Sequence, residues 1–137
     1  MTTNYFASAS KEILFNSLLV IEKDEIQRKG LIVAMMDYFA EIRLTNNPHE
    51  AIELVKNRHY SVIISECDFA VISGNELIKN LHKYNPEALI IIISSHLDEE
   101  SKIELHSLGT QMIFDKPIDI QLVINEINNY KNKKAKK

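Results

Sequence analysis

The chain is poor in the residues that would make it a stapled, metal-bound, nucleotide-gripping or membrane protein. It has one cysteine, Cys67. One thiol excludes an internal disulfide framework and any Cys-based zinc site, and it fits a reducing compartment. It has three glycines, none of them clustered after an apolar run, so no Gly-rich phosphate loop is present. The longest apolar run, Ala88–Ile93, is far too short to span a bilayer. The opening MTTNYFASAS lacks the basic start and apolar core of a signal peptide. These absences predict a cytoplasmic protein with no membrane association.

Positive charge is also scarce outside one place. The formal net charge is −3, yet the last seven residues, KNKKAKK, hold five lysines. Without them the body has 11 basic and 19 acidic side chains. An acidic body argues against a nucleic-acid partner, since phosphate contacts need clustered Lys and Arg. The lysine tail reads as a solvated, disordered end.

What is present is one domain's worth of chain: 137 residues, 45% of them apolar. Short apolar runs alternate with amphipathic ones. Leu18–Ile21 reads as a buried strand, and Asp24 starts a helix with apolar positions at Ile26, Leu31, Met35 and Phe39. Glu41–Leu44 is a weaker strand whose two polar positions suggest a sheet edge. Asn46-Asn47-Pro48 is a turn running into a helix, with Pro48 suited to its first turn.

Val62–Ile64 is the third strand, and Gly74 precedes a helix through Leu77, Ile78 and Leu81. Leu89–Ile93, the most apolar strand, is expected at the sheet centre. Asp98 opens a helix through Ile103 and Leu108 that Gly109 stops. Gln111–Phe114 is the last strand, and a helix through Leu122, Val123 and Ile127 closes the series.

Five strands alternating with five helices, most of the strands continuous apolar runs, imply a parallel sheet covered on both faces. The expected class is α/β, a single flavodoxin-like doubly wound (βα)5 unit with strand order 2-1-3-4-5. Residues 1–16 form an N-terminal extension, with SASKEILF a short helix or an arm. Residues 17–130 are the domain and 131–137 the lysine-rich tail. No further domain is expected.

Ligands of such a fold bind beyond the carboxyl ends of the strands. Those ends carry Glu22-Lys23-Asp24, Glu66-Cys67-Asp68, Ser94-Ser95-His96 and Asp115-Lys116-Pro117. Acids, a hydroxyl and a lysine should therefore converge on one shallow site.

Four segments together resemble a bacterial response-regulator receiver of the CheY-like kind: LLVIEKDEIQR, SVIISECDFAVISGNEL, ALIIIISSHLDEE and FDKPID. They occur in the family's order and cover about residues 14–130. The resemblance implies phosphoryl transfer from a phosphohistidine to an aspartate beside a Mg²⁺ ion. It places Lys116 as the phosphate-pairing lysine, Ser94 as the switch hydroxyl and Glu22 as the first metal-binding acid. The Asp68 backbone carbonyl falls at a metal-ligand position, and Ile113 replaces the usual output-face aromatic.

Two positions depart from the pattern. Glu66 stands at the phosphoacceptor and Lys23 at the second metal-binding acid. A glutamate is one methylene too long for in-line transfer, and a lysine opposes a divalent cation.

The expectation is a pseudo-receiver, not an enzyme. Its cofactor is none, Mg²⁺ binding being weak or absent, with Glu22 and Asp68 the ligands if any. Lys23 would stand for the metal among Glu22, Glu66 and Asp68. Its partners would be a histidine kinase or other signalling proteins, and the chain a monomer or weak dimer. Two alternatives stay open: a phosphorylatable regulator using Asp68, and a small-molecule-binding flavodoxin-like domain.

Plainer roles also stay open. Lys23 and Lys116 are candidates for ordinary surface lysines, Ser94 for a helix cap, and Ile113 for a packed strand residue. His96 has no second ligand at metal spacing. Cys67 reads as an inert, partly buried thiol.

Overall fold

A computed structural model describes residues 2–6 and 13–135. In chain order the elements are β1 (Thr2–Phe6), β2 (Phe15–Ile21), α1 (Glu25–Met35), β3 (Phe39–Thr45), α2 (Pro48–Asn57), β4 (Val62–Ser65), α3 (Gly74–Tyr84), β5 (Leu89–Ser94), α4 (Glu99–Ser107), β6 (Met112–Asp115) and α5 (Ile120–Ala135). The sheet order is β1-β3-β2-β4-β5-β6. Strands β2 to β6 are parallel and reproduce the expected doubly wound order.

The polar residues at the element boundaries explain where helices begin. Asp24, Asn47, Ser73 and Asp98 each accept backbone N–H bonds from the first turn of α1, α2, α3 and α4, covering donors that have no partner within the helix. Ser94 is thus not a cap, because Asp98 caps α4 itself. Pro48 fills the first turn of α2, where its missing N–H costs nothing. Gly109 ends α4 at φ +124°, a conformation that a side chain resists.

Alternation along the strands divides the core in two. Leu18, Val20, Val62, Ile64, Ile91 and Ile93 face α1 and α5. Leu19, Ile21, Ile63, Ile90 and Ile92 face α2, α3 and α4. Both faces are buried, so Leu18–Ile21, Val62–Ile64 and Leu89–Ile93 are unbroken apolar runs.

Several sequence expectations are corrected. The N-terminal extension supplies β1, which pairs antiparallel with β3 in the register Thr3↔Leu44 and Tyr5↔Ile42. The polar strand β3 is therefore covered, and the edges are β1 and β6. The centre falls at β2 and β4, with β5 one strand nearer the edge. Phe39 opens β3 instead of continuing α1, and Ile26 and Ile103 lie on solvent-facing helix positions. Residues 131–135 prolong α5, so most of the lysine tail is helical, with cations suited to a helix C-terminus. The helix considered for SASKEILF falls largely outside the described residues, and Phe15 belongs to β2. Among the described residues no helix is long and apolar enough to cross a membrane.

Candidate functional site

The ends of β2, β4, β5 and β6 meet as the fold requires. A pocket of about 340 Å³ is lined by Lys23, Glu66, Cys67, Asp68, Ser94 and Lys116, among others. Glu22 and Glu66, one residue beyond β2 and β4, are both buried although charged side chains rarely are. Each backbone N–H is fixed by a neighbouring strand: Glu22 N donates to Thr45 O and Glu66 N to Ile21 O, both at 3.1 Å.

The cations divide between the two carboxylates. Lys116 Nζ donates to Glu22 Oε1 at 3.1 Å and lies 3.6 Å from Glu66 Oε2. Lys23 Nζ donates to the Asp68 carbonyl at 2.5 Å and lies 3.4 Å from Glu66 Oε1. Its ammonium is also 6.0 Å from the centre of the Phe69 ring, within cation–π range. Lys23 thus reaches back over the pocket from an exposed backbone position.

Two details differ from expectation. Asp68 contributes its carbonyl to Lys23, not its exposed carboxylate. Glu22 meets Lys116, and its other oxygen accepts the Asp24 N–H at 3.2 Å.

Burial pushes the Glu66 carboxyl up to about 7. A hydrogen bond with Glu22 and its charge add to the rise, and Lys116 and Lys23 oppose it. Burial likewise raises the Cys67 thiol, while a bond with Ser94 opposes the rise. Cys67 is therefore held away from the reactive thiolate.

The remaining expected residues are close by. Ser94 is buried at the end of β5, and its carbonyl accepts the Lys116 N–H at 2.9 Å. The Lys116–Pro117 peptide is cis. Ile113 packs on the α2–α4 side of the core. His96 is exposed on the pocket rim. Gly74 is needed beside the site: a Cβ there would lie 2.8 Å from the Cys67 Cβ and 3.0 Å from its carbonyl oxygen.

Arg28 was missed from sequence. Its guanidinium donates to the carbonyl oxygens of Glu22 at 2.8 Å and Lys23 at 3.2 Å, clamping the loop that carries Lys23. An arginine in the second turn of a helix that follows the acidic strand end was the available signal.

The sequence profile of the response regulator receiver domain matches residues 18–128. The chain belongs to this family. It is a receiver domain of two-component signalling, a kind of module whose partners include kinases.

Curated relatives include the probable transcriptional regulator ycf29 of Porphyra purpurea, 24% identical over 82% of this chain and 55% of the relative. Another is the transcriptional regulatory protein ZraR of Klebsiella oxytoca, 23% identical over 80% of this chain and 25% of the relative. This receiver domain thus spans about half or less of those two relatives.

Solved structures share the fold at low identity. A response regulator from Burkholderia pseudomallei, with a phosphorylated aspartic acid, calcium ion and citrate, superimposes with TM-score 0.74 at 19% identity, over 86% of this chain and 69% of that one. The chemotaxis protein CheY4 of Vibrio cholerae gives TM-score 0.74 at 18% identity, over 84% and 98% of the two chains.

The family implies a Mg²⁺ ion in this pocket, and the residues present do not suit one. The Asp68 carbonyl and a Glu66 oxygen already face the Lys23 ammonium. Among the described residues no three His, Cys, Asp or Glu side chains gather at metal-ligand spacing. Mg²⁺ requires near-octahedral oxygen donors and gives up its water reluctantly.

Proposed function

We propose that this receiver domain is a pseudo-receiver, transmitting its signal through protein–protein contacts without phosphorylation at position 66. The Lys23 ammonium takes the place of the divalent cation, and the Glu66 carboxylate takes the place of the phosphoacceptor. Lys116 and Ser94 keep the positions that would pair with a phosphoryl group. The partners are a histidine kinase or other signalling proteins, and no catalytic activity is assigned.

The observation that carries this reading is the Lys23 ammonium between the Asp68 carbonyl at 2.5 Å and Glu66 Oε1 at 3.4 Å. A fixed cation there repels a second one. The longer glutamate arm extends its carboxylate toward Lys116 and Lys23, away from in-line geometry for an incoming phosphoryl group.

The test is intact-mass measurement after incubation with a small phosphodonor and Mg²⁺. The native chain is expected to gain no phosphoryl group. The double variant Lys23→Asp with Glu66→Asp is expected to bind Mg²⁺ and to gain one. A double variant that stays unmodified and binds no metal refutes the pairing of these two changes. A phosphoryl group gained by the native chain and lost in Asp68→Asn would replace this reading with one in which Asp68 is the acceptor.

A further inference from the structure

Most cations of this chain are matched from within. Lys23, Lys29, Lys56, Arg58, Lys102 and Lys116 each face a carboxylate of the same chain. The end of α5 is different. The last seven residues hold five lysines, and no acid follows Glu126. Among the described residues Lys131, Lys133 and Lys134 meet no carboxylate. Lys131 donates to the Ile13 carbonyl at 3.5 Å, Lys134 lies 5.3 Å from the centre of the Tyr130 ring, and Lys133 is exposed.

The helix itself does not account for this charge. A helix C-terminus carries about half a negative charge, which one or two nearby cations offset. Five lysines exceed that several-fold. The described lysines are also held in place. Tyr130 packs against the core beneath α1 and α5, and Lys131 ties the helix to Ile13. Ile13 lies two residues before β2, so this end of α5 sits at the strand starts, opposite the carboxylate pocket. Ammonium groups presented on a helix lose less freedom on binding than those of an open chain.

Fixed cations with no internal partner suit an anion from outside, and three kinds of surface could bring one. An anionic bilayer holds a helix through inserted apolar side chains, but the exposed positions from Asn125 to Ala135 carry only Asn, Lys and Ala. A nucleic-acid duplex carries one charge per about 1.7 Å. It would run past the lysines onto a body with 11 basic and 19 acidic side chains. Screening reaches only about 8 Å at physiological salt, so that body repels it at contact. A short acidic peptide segment ends before it reaches the body. The exposed amides of Asn128, Asn129 and Asn132 lie among the lysines and add donors that carboxylates accept.

We propose that the lysine-rich end of α5 docks an acidic segment of a partner protein, a run of Asp and Glu short enough to stay on the last turns of the helix. This contact surface is separate from the carboxylate pocket and does not depend on whether that pocket accepts a phosphoryl group. Each exposed ion pair changes affinity by a factor of up to about five. Binding is therefore spread over several lysines and sensitive to salt.

Fluorescence anisotropy of a labelled hexaglutamate peptide, titrated with the full chain, tests this. Binding is expected at about 0.05 M salt and should weaken steeply toward about 0.3 M. Lys133→Glu with Lys134→Glu should raise the Kd at least about tenfold, with unaltered circular dichroism because both side chains are exposed. Lys133→Gln with Lys134→Gln should raise it by a smaller factor. Lys79→Glu with Lys83→Glu makes the same change in net charge at exposed positions of α3. That variant should keep the Kd within about twofold, since screening isolates distant charges. No binding at low salt overturns the proposal. An equal loss in the α3 variant also overturns it, because net charge alone would then decide. Tighter binding to duplex DNA or to phosphatidylserine vesicles, lost in the same α5 variant, overturns it as well and assigns the surface to nucleic acid or membrane.

Discussion

Replacing Glu66 with glutamine should change how stability depends on pH. In the folded chain the Glu66 carboxyl, only 4% exposed, is raised from its ordinary 4.5 to about 7, chiefly by burial and then by Glu22. Between these values the folded state holds more protons than the unfolded state. Stability therefore falls as pH rises through that window. The contribution is fully present below pH 4.5 and is lost as pH rises to about 7. At about 1.4 kcal/mol per pH unit, the loss is roughly 3 kcal/mol.

Glu66→Gln keeps the shape and removes the titration, while Glu22 keeps Lys116. Urea denaturation of both proteins from about pH 5 to about pH 8 isolates the group, because most other side chains titrate alike in the two. The native chain should lose stability relative to the variant by roughly 3 kcal/mol over the full window, with unchanged m-values. Profiles that stay parallel to within about 0.5 kcal/mol would refute the reasoning, since Glu66 would then ionise alike in both states.

Lys23→Met removes a cation that opposes the rise, so Glu66 should titrate above its native value and the pH-dependent loss should extend further into alkali; carboxyl-carbon NMR reads this, and an unmoved titration counts against the ion pair. Arg28→Ala deletes the clamp on the Glu22 and Lys23 carbonyls, at a cost of about 1–2 kcal/mol for partly exposed charge-assisted bonds. Amide hydrogen exchange at Lys23 and Asp24 should quicken, and unaltered protection would show that the loop holds itself. Gly109→Ala places a Cβ 2.6 Å from the His82 ring at a φ of +124°. It should cost at least ~1–3 kcal/mol in thermal or chemical unfolding, and a smaller effect would mean that α4 ends differently.

The parts of the fold legible in the sequence are those whose causes are local. Asp24, Asn47-Pro48 and Asp98 mark helix starts through bonds made within three residues. The apolar runs at β2, β4 and β5 report burial on both faces. Strand β1 was missed because its cause is distant: Thr3 and Tyr5 form a strand only by pairing with Leu44 and Ile42. For the same reason the polar face of β3 suggested an edge, and the apolar character of β5 suggested a centre that belongs to β2 and β4. Ile26 fitted the helical period yet lies outside, because periodicity counts apolar positions without saying which face meets the sheet.

The site was legible at the level of which residues meet, since strand ends converge in any sheet of this order. Which ammonium faces which carboxylate was not, because that depends on how lysine side chains thread over the loops. The observed division matters for signalling. Lys116 holds Glu22, and Lys23 spans Glu66 and the Asp68 carbonyl, so two cations balance two carboxylates within the chain. A bound metal can leave, but a lysine tethered to the loop cannot. Under the proposed function, metal and phosphoryl occupancy therefore stop being variables of this pocket. What still varies is the proton on Glu66 near pH 7 and the contacts that partners make on the surrounding faces. Protonating Glu66 leaves Lys23 with the Asp68 carbonyl and an uncharged neighbour, so an acidic partner group at the rim would compete for that ammonium more easily in the protonated state. An acidic partner group bound there would therefore favour proton uptake at Glu66, and proton uptake would favour its binding.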